Sequence, residues 1–63
     1  MNDYTKKTLI KSRESICDEI RKIYDASEGL SEDSLSYANC IMQRLKQCRN
    51  DIDIILAKEG AVI

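Results

Sequence analysis

Apolar side chains recur along this chain at intervals of three and four residues, in two blocks with one polar break between them. In the first block Leu9, Ile10, Ile16, Cys17, Ile20, Ile23 and Tyr24 follow helical spacing and not a two-residue alternation. The second block carries Leu35, Ala38, Ile41, Met42, Leu45, Cys48, Ile52, Ile55 and Leu56. Here Ala38, Leu45 and Ile52 form one seven-residue series, and Ile41, Cys48 and Ile55 the other, as the a and d positions of a heptad do. The pattern predicts an all-α fold, a two-helix antiparallel hairpin completed by a partner chain. One domain spans 1–63, with helices over about 3–28 and about 32–59 and a turn at about 29–31.

The break, Glu28-Gly29-Leu30-Ser31-Glu32-Asp33-Ser34-Leu35, has a role for most of its residues. Gly29 suits the left-handed position that ends a helix. Ser31 is a good N-cap, and Glu32 and Asp33 stand where the helix dipole favours negative charge. Leu30 and Leu35 have the spacing of a hydrophobic staple. So short a connection makes the two helices antiparallel neighbours. Asn2 or Asp3 caps the first helix, and Gly60 stops the second, leaving Ala61-Val62-Ile63 as a short apolar tail.

At 100° per residue the apolar arc is roughly 140° wide on the first helix and roughly 160° on the second. One antiparallel partner covers little more than a narrow seam, so a second stripe on each helix needs another cover. The expectation is that the hairpin closes along Ile16/Ile23 and Cys48/Ile55 and presents Ile10, Cys17, Tyr24, Leu35, Met42 and Leu56 to another polypeptide. The stripes could also be assigned in reverse. With Ile52 and Ile55 of the isoleucine-rich run, these six make up the candidate partner-binding set.

Length sharpens this expectation. A chain of 63 residues is marginal alone, because its surface outweighs its interior. Zinc is a poor staple for a chain with no histidine and no C-x-x-C pair, and three cysteines with no signal-peptide pattern argue against disulfides. No metal or other cofactor is expected, which leaves a partner chain. The longest uninterrupted apolar stretch, Ile54 to Ala57, is far short of the roughly 20 residues of a membrane span, so no membrane contact is expected. A formal net charge of −1 gives no general attraction to nucleic acid.

Catalysis finds no foothold: there is no histidine for proton transfer, no glycine-rich phosphate loop and no nucleophile beside a base. Glu14, Asp18 and Asp25 read as a solvated helix face, with Asp18 to Lys22 a favourable i,i+4 pair. Cys17 and Cys48 fall on the apolar arcs and are expected to pack as small hydrophobes, whereas Cys40, off the arc, is the thiol expected to react. Arg13 lies at the arc's edge, where its stem packs or its charge meets an acidic group of a partner. Ile54 points away from the main stripe.

The segment Gln47-Cys48-Arg49-Asn50-Asp51-Ile52-Asp53-Ile54-Ile55-Leu56-Ala57-Lys58 carries an I-x-I-I run followed by a bulky residue. It resembles the C-terminal helix of the small E-type co-chaperones of type III secretion needle subunits, the YscE, SsaE and EscE kind. Tyr37 and the Gly29-Leu30 turn fit as well. The resemblance covers residues 29–58, and the first helix by length and pattern. It implies an antiparallel hairpin that binds a tetratricopeptide-like chaperone, the pair holding a needle subunit soluble and unpolymerised in the bacterial cytoplasm.

Two rivals come from other classes. One is a homodimeric four-helix bundle of the Rop kind that binds RNA; self-association of the free chain would suit it, but Lys6, Lys7 and Lys11 do not share a helix face. The other is a small helical inhibitor that docks on an enzyme such as a kinase.

Overall fold

The computed structural model describes residues 1–60 and consists of two long helices, α1 (Asp3–Ala26) and α2 (Glu32–Lys58), joined through a 3-10 turn at Ser27–Gly29. Among the described residues there is no strand. The helices fold back on one another as an all-α hairpin measuring 44 × 15 × 14 Å. The Ala61–Ile63 tail lies outside the described residues.

Local chemistry sets the ends of each helix. Asn2 caps α1: its Oδ1 accepts from the Thr5 N–H at 2.8 Å, occupying one of the donors that the first turn leaves without a partner. At the far end the Ser27 hydroxyl donates to the Tyr24 carbonyl at 2.7 Å, and the Leu30 N–H donates to the Ser27 carbonyl at 3.1 Å. Leu30 and Ser31 are extended, and Ser31 caps α2 with its Oγ accepting from the Ser34 N–H at 3.4 Å. Gly60, expected to stop α2, has φ 73°, a left-handed helix ending, and its N–H donates to the Ala57 carbonyl at 3.2 Å.

Gly29 departs from expectation. It is not left-handed, since Gly60 alone among the described residues has positive φ. The first helix tightens instead into a 3-10 turn, whose i+3 bond satisfies the last carbonyls without a positive φ. The helix therefore ends at Ala26, two residues before the expected boundary, and the second ends at Lys58.

Little of the molecule is interior. Among the described residues Ala38, Met42 and Leu56, all on α2, are the buried ones, at 6%, 8% and 2% exposure, and α1 has none. Leu9, Ile10, Ile16, Ile20 and Ile23 of α1 and Leu35, Leu45 and Ile52 of α2 are half-buried around them. The radius of gyration is 14.3 Å, against about 10.6 Å for a compact domain of this length. The accessible surface is 4945 Å², about 800 Å² more than a compact monomer of this mass carries.

The seam on α1 runs along Ile16 and Ile23 as expected. On α2 it does not. Met42 and Leu56, expected to face a partner, are inside, while Ile41, Cys48 and Ile55, expected in the seam, are exposed. With Cys48 as origin, Ala38 and Leu56 lie near 80°, Arg49 near 100° and Met42 near 120°. The inward direction is thus turned by roughly 75° from the expected seam.

Cross-helix polar contacts account for the turn. Arg13 Nη1 donates to Asp53 Oδ1 at 2.9 Å, and Arg49 Nη1 donates to Cys17 Sγ at 3.7 Å. A seam centred on Cys48 would swing Asp53, near 140°, away from α1 and separate both pairs. Met42, unbranched and adaptable, and Leu56 then fill the space beside Ala38.

Candidate functional site

Rotating α2 in this way leaves two apolar edges, one on each face of the hairpin. Asp53 and Leu35 lie near 140° on the α2 wheel, on one side of the seam; Tyr37, Ile41, Cys48 and Ile55 lie between about −20° and 20°, on the other. Arg13 and Cys17 reach Asp53 and Arg49, so the Cys17/Tyr24 flank of α1 shares the Leu35 face. One face therefore carries Ile10, Cys17, Tyr24 and Leu35. The opposite face carries Tyr37, Ile41, Cys48 and Ile55, with half-buried Ile52 at its edge.

The first face is concave near the turn. A cleft of about 410 Å³ is lined by Tyr24, Asp25, Ser27, Glu28, Leu30 and Leu35. Its origin is local: the extended pair Leu30-Ser31 turns the chain sharply, and the staple leucines at 30 and 35 form one wall while Tyr24, in the last turn of α1, forms another. Tyr24 is 69% exposed. An apolar wall rimmed by Asp25 and Glu28 suits an incoming apolar side chain flanked by a base.

The second face is a straight ridge. From Tyr37 to Ile55 it runs eighteen residue steps along α2, about 27 Å along the axis. Tyr37 is 74% exposed, and Ile41 and Ile55 are exposed as well. Arg44 and Asp51 flank the ridge on one side, near −40° and −60°.

Of the eight candidate partner-binding residues, the structure brings Tyr24 and Leu35 together at the cleft, with Cys17 and Ile10 further along the same face. It removes Met42 and Leu56 to the interior and sets Ile52 and Ile55 on the other face. Sequence reasoning did not assign Tyr37, Ile41 or Leu30 to a surface. The available signal was electrostatic: Arg13, near 60° on the α1 wheel with Ile16 as origin, sits between its two apolar stripes and Asp53 at the edge of the α2 arc, and bringing this basic and this acidic residue together indicates which way α2 turns.

All three cysteines are exposed, so Cys17 and Cys48 are not the buried hydrophobes their arcs suggested. Arg13 uses its charge within the chain, on Asp53. Arg21 and Lys22 are held locally as well: Arg21 pairs with Asp18, and Lys22 Nζ lies 3.7 Å from Asp18 Oδ2 and 3.5 Å from Glu19 Oε1. Ile54 is exposed, as its position off the stripe predicted. Among the described residues no group of three or more His, Cys, Asp or Glu side chains is placed to hold a metal ion, and no helix is long and apolar enough to cross a membrane.

What the geometry offers chemically is burial of apolar surface at two sites of different shape. No family model, curated protein or solved structure matches the chain.

Proposed function

We propose that this protein is a non-enzymatic co-chaperone of a type III secretion system, a hairpin that pairs with a tetratricopeptide-like chaperone and so helps keep the needle subunit soluble and unpolymerised in the bacterial cytoplasm. The observation that carries the reading is the exposed, concave apolar face at the turn, with Tyr24 standing in solvent beside Leu30 and Leu35. Support also comes from the resemblance of residues 29–58 to the E-type co-chaperones.

The mechanism is burial without bond chemistry. A helix of the partner inserts an apolar side chain between Tyr24 and Leu35 and covers Cys17 and Ile10 along α1. Tyrosine is suited to such a place, because it contributes a large rigid ring at little conformational cost and keeps a polar tip for the rim. Water released from both surfaces drives the association, and the covered chaperone has less apolar surface left to aggregate.

The test is co-expression with a tetratricopeptide-repeat chaperone and a needle subunit of a type III secretion system. The expected result is a complex that co-purifies, a higher melting temperature for the chaperone and more needle subunit in the soluble fraction. Tyr24→Asp should abolish co-purification while leaving the hairpin helical. A chaperone equally stable and soluble without this chain, and no complex, overturns the reading.

A further inference from the structure

The ridge on α2 reads the same in both directions about Cys48. Ile41 lies seven residues before it and Ile55 seven after, on one line of helix surface and roughly 10 Å to either side. Arg44, four residues before, and Asp51, three after, both border that line on the same side. All five side chains are exposed.

An identical helix laid antiparallel on this ridge, crossing at Cys48, sets Ile41 of one copy on Ile55 of the other, twice. The same operation brings Arg44 of each copy beside Asp51 of the other, since the two lie at nearly equal heights from the crossing point. Among the described residues Arg44 makes no ion pair. Asp51 accepts one hydrogen bond within the chain, from Gln47 Nε2 at 3.0 Å, which leaves its second oxygen open to an arginine. A parallel copy would place its Arg44 and Asp51 on the opposite flank of the ridge and form neither ion pair, so the charges favour the antiparallel arrangement.

We propose that this ridge is a self-association site: two copies pair isologously through Tyr37, Ile41, Cys48 and Ile55 into an antiparallel four-helix bundle. The Tyr24 cleft lies on the opposite face and stays open in the dimer. The inference therefore stands apart from the co-chaperone reading, and either can fail without the other.

The experiment uses the full chain. Sedimentation equilibrium should give a dimer, and a short-spacer bismaleimide should join two copies in the Cys17→Ser/Cys40→Ser variant, in which Cys48 is the remaining thiol. The Cys17→Ser/Cys48→Ser variant should not be joined, because Cys40, eight residues from the crossing point, lies about 24 Å from its counterpart. Arg44→Asp and Asp51→Arg should each weaken self-association about tenfold. Mixed in equal amounts, these two variants should pair as tightly as the parent, since both ionic contacts re-form between unlike copies. That mixture also shows that each variant is folded. A monomeric parent chain would give the ridge to an unlike partner and overturn the proposal, as would equal crosslinking at Cys40 or a mixture no tighter than its components.

Discussion

Replacing Leu56 by alanine, and separately its neighbour Ile55, tests the packing of the hairpin more sharply than any other pair of substitutions. Leu56 is 2% exposed and Ile55 43% exposed, though they are adjacent on one helix. Truncating a buried leucine to alanine costs about 2–5 kcal/mol, depending on how far the site can collapse. Leu56 lies in the last turns of α2, at the open end of the hairpin, where the helix ends can relax; the lower part of that range, about 2–3 kcal/mol, is therefore expected. Ile55 already leaves nearly half of its side chain in water, so its truncation forfeits about 0.5–1 kcal/mol of burial.

Against a total stability of roughly 3–9 kcal/mol for a chain of this length, the Leu56 loss is large. It should lower the melting temperature by roughly 10–20 °C and move the urea midpoint in proportion. Both substitutions are to be made in the Arg44→Asp background and measured at protein concentrations where sedimentation shows a monomer, so that packing within one chain is read. Helix content is followed by far-UV circular dichroism. If Ile55→Ala shifts the midpoint as far as Leu56→Ala or further, the seam runs through Ile55, and the rotation of α2 described above is wrong.

Other consequences can be read in the same titration. The Arg13–Asp53 bridge, 2.9 Å long between side chains 24% and 48% exposed, should show a coupling of about 0.3–1 kcal/mol in a double-mutant cycle with alanine, because solvent screens it. Raising salt should shrink that coupling; no coupling at low salt would remove the bridge from the account of why α2 is turned. The two glycines should respond oppositely to alanine. Gly29 has no positive φ and open space around an added Cβ, so Gly29→Ala should be neutral or stabilise by up to about 1 kcal/mol. Gly60, at φ 73°, should lose about 1 kcal/mol on the same change.

The helices and their ends were legible in the sequence because the forces that make them are local. Three- and four-residue apolar spacing, Asn2 and Ser31 as caps, and Gly60 as a terminator each act within a turn or two of backbone. The α1 half of the seam was legible for a related reason: Leu9, Ile16, Ile20 and Ile23 concentrate on one side, and Arg13 marks its edge. The candidate face at Tyr24 and Leu35 follows from the same wheel, once a staple-like turn places the two residues side by side. Gly29 shows the limit of the local view, since either a left-handed residue or a 3-10 turn satisfies the last carbonyls, and composition does not choose between them.

The facing of α2 belonged to the tertiary structure. Its apolar arc is about twice as wide as one neighbouring helix can cover, so several rotations about its axis bury similar apolar area and hydrophobicity alone leaves them nearly equal. Contacts forty and thirty-two residues apart, Arg13 to Asp53 and Cys17 to Arg49, separate those rotations. They turn Met42 and Leu56 inward and Ile41, Cys48 and Ile55 outward. Periodicity determined that this protein is two amphipathic rods with a surplus of apolar surface, because a helix's face is written in the spacing of its own residues. Which part of that surplus meets solvent was decided only when the second rod arrived with charges of its own, because a side chain's partner across the seam has no fixed distance from it in sequence.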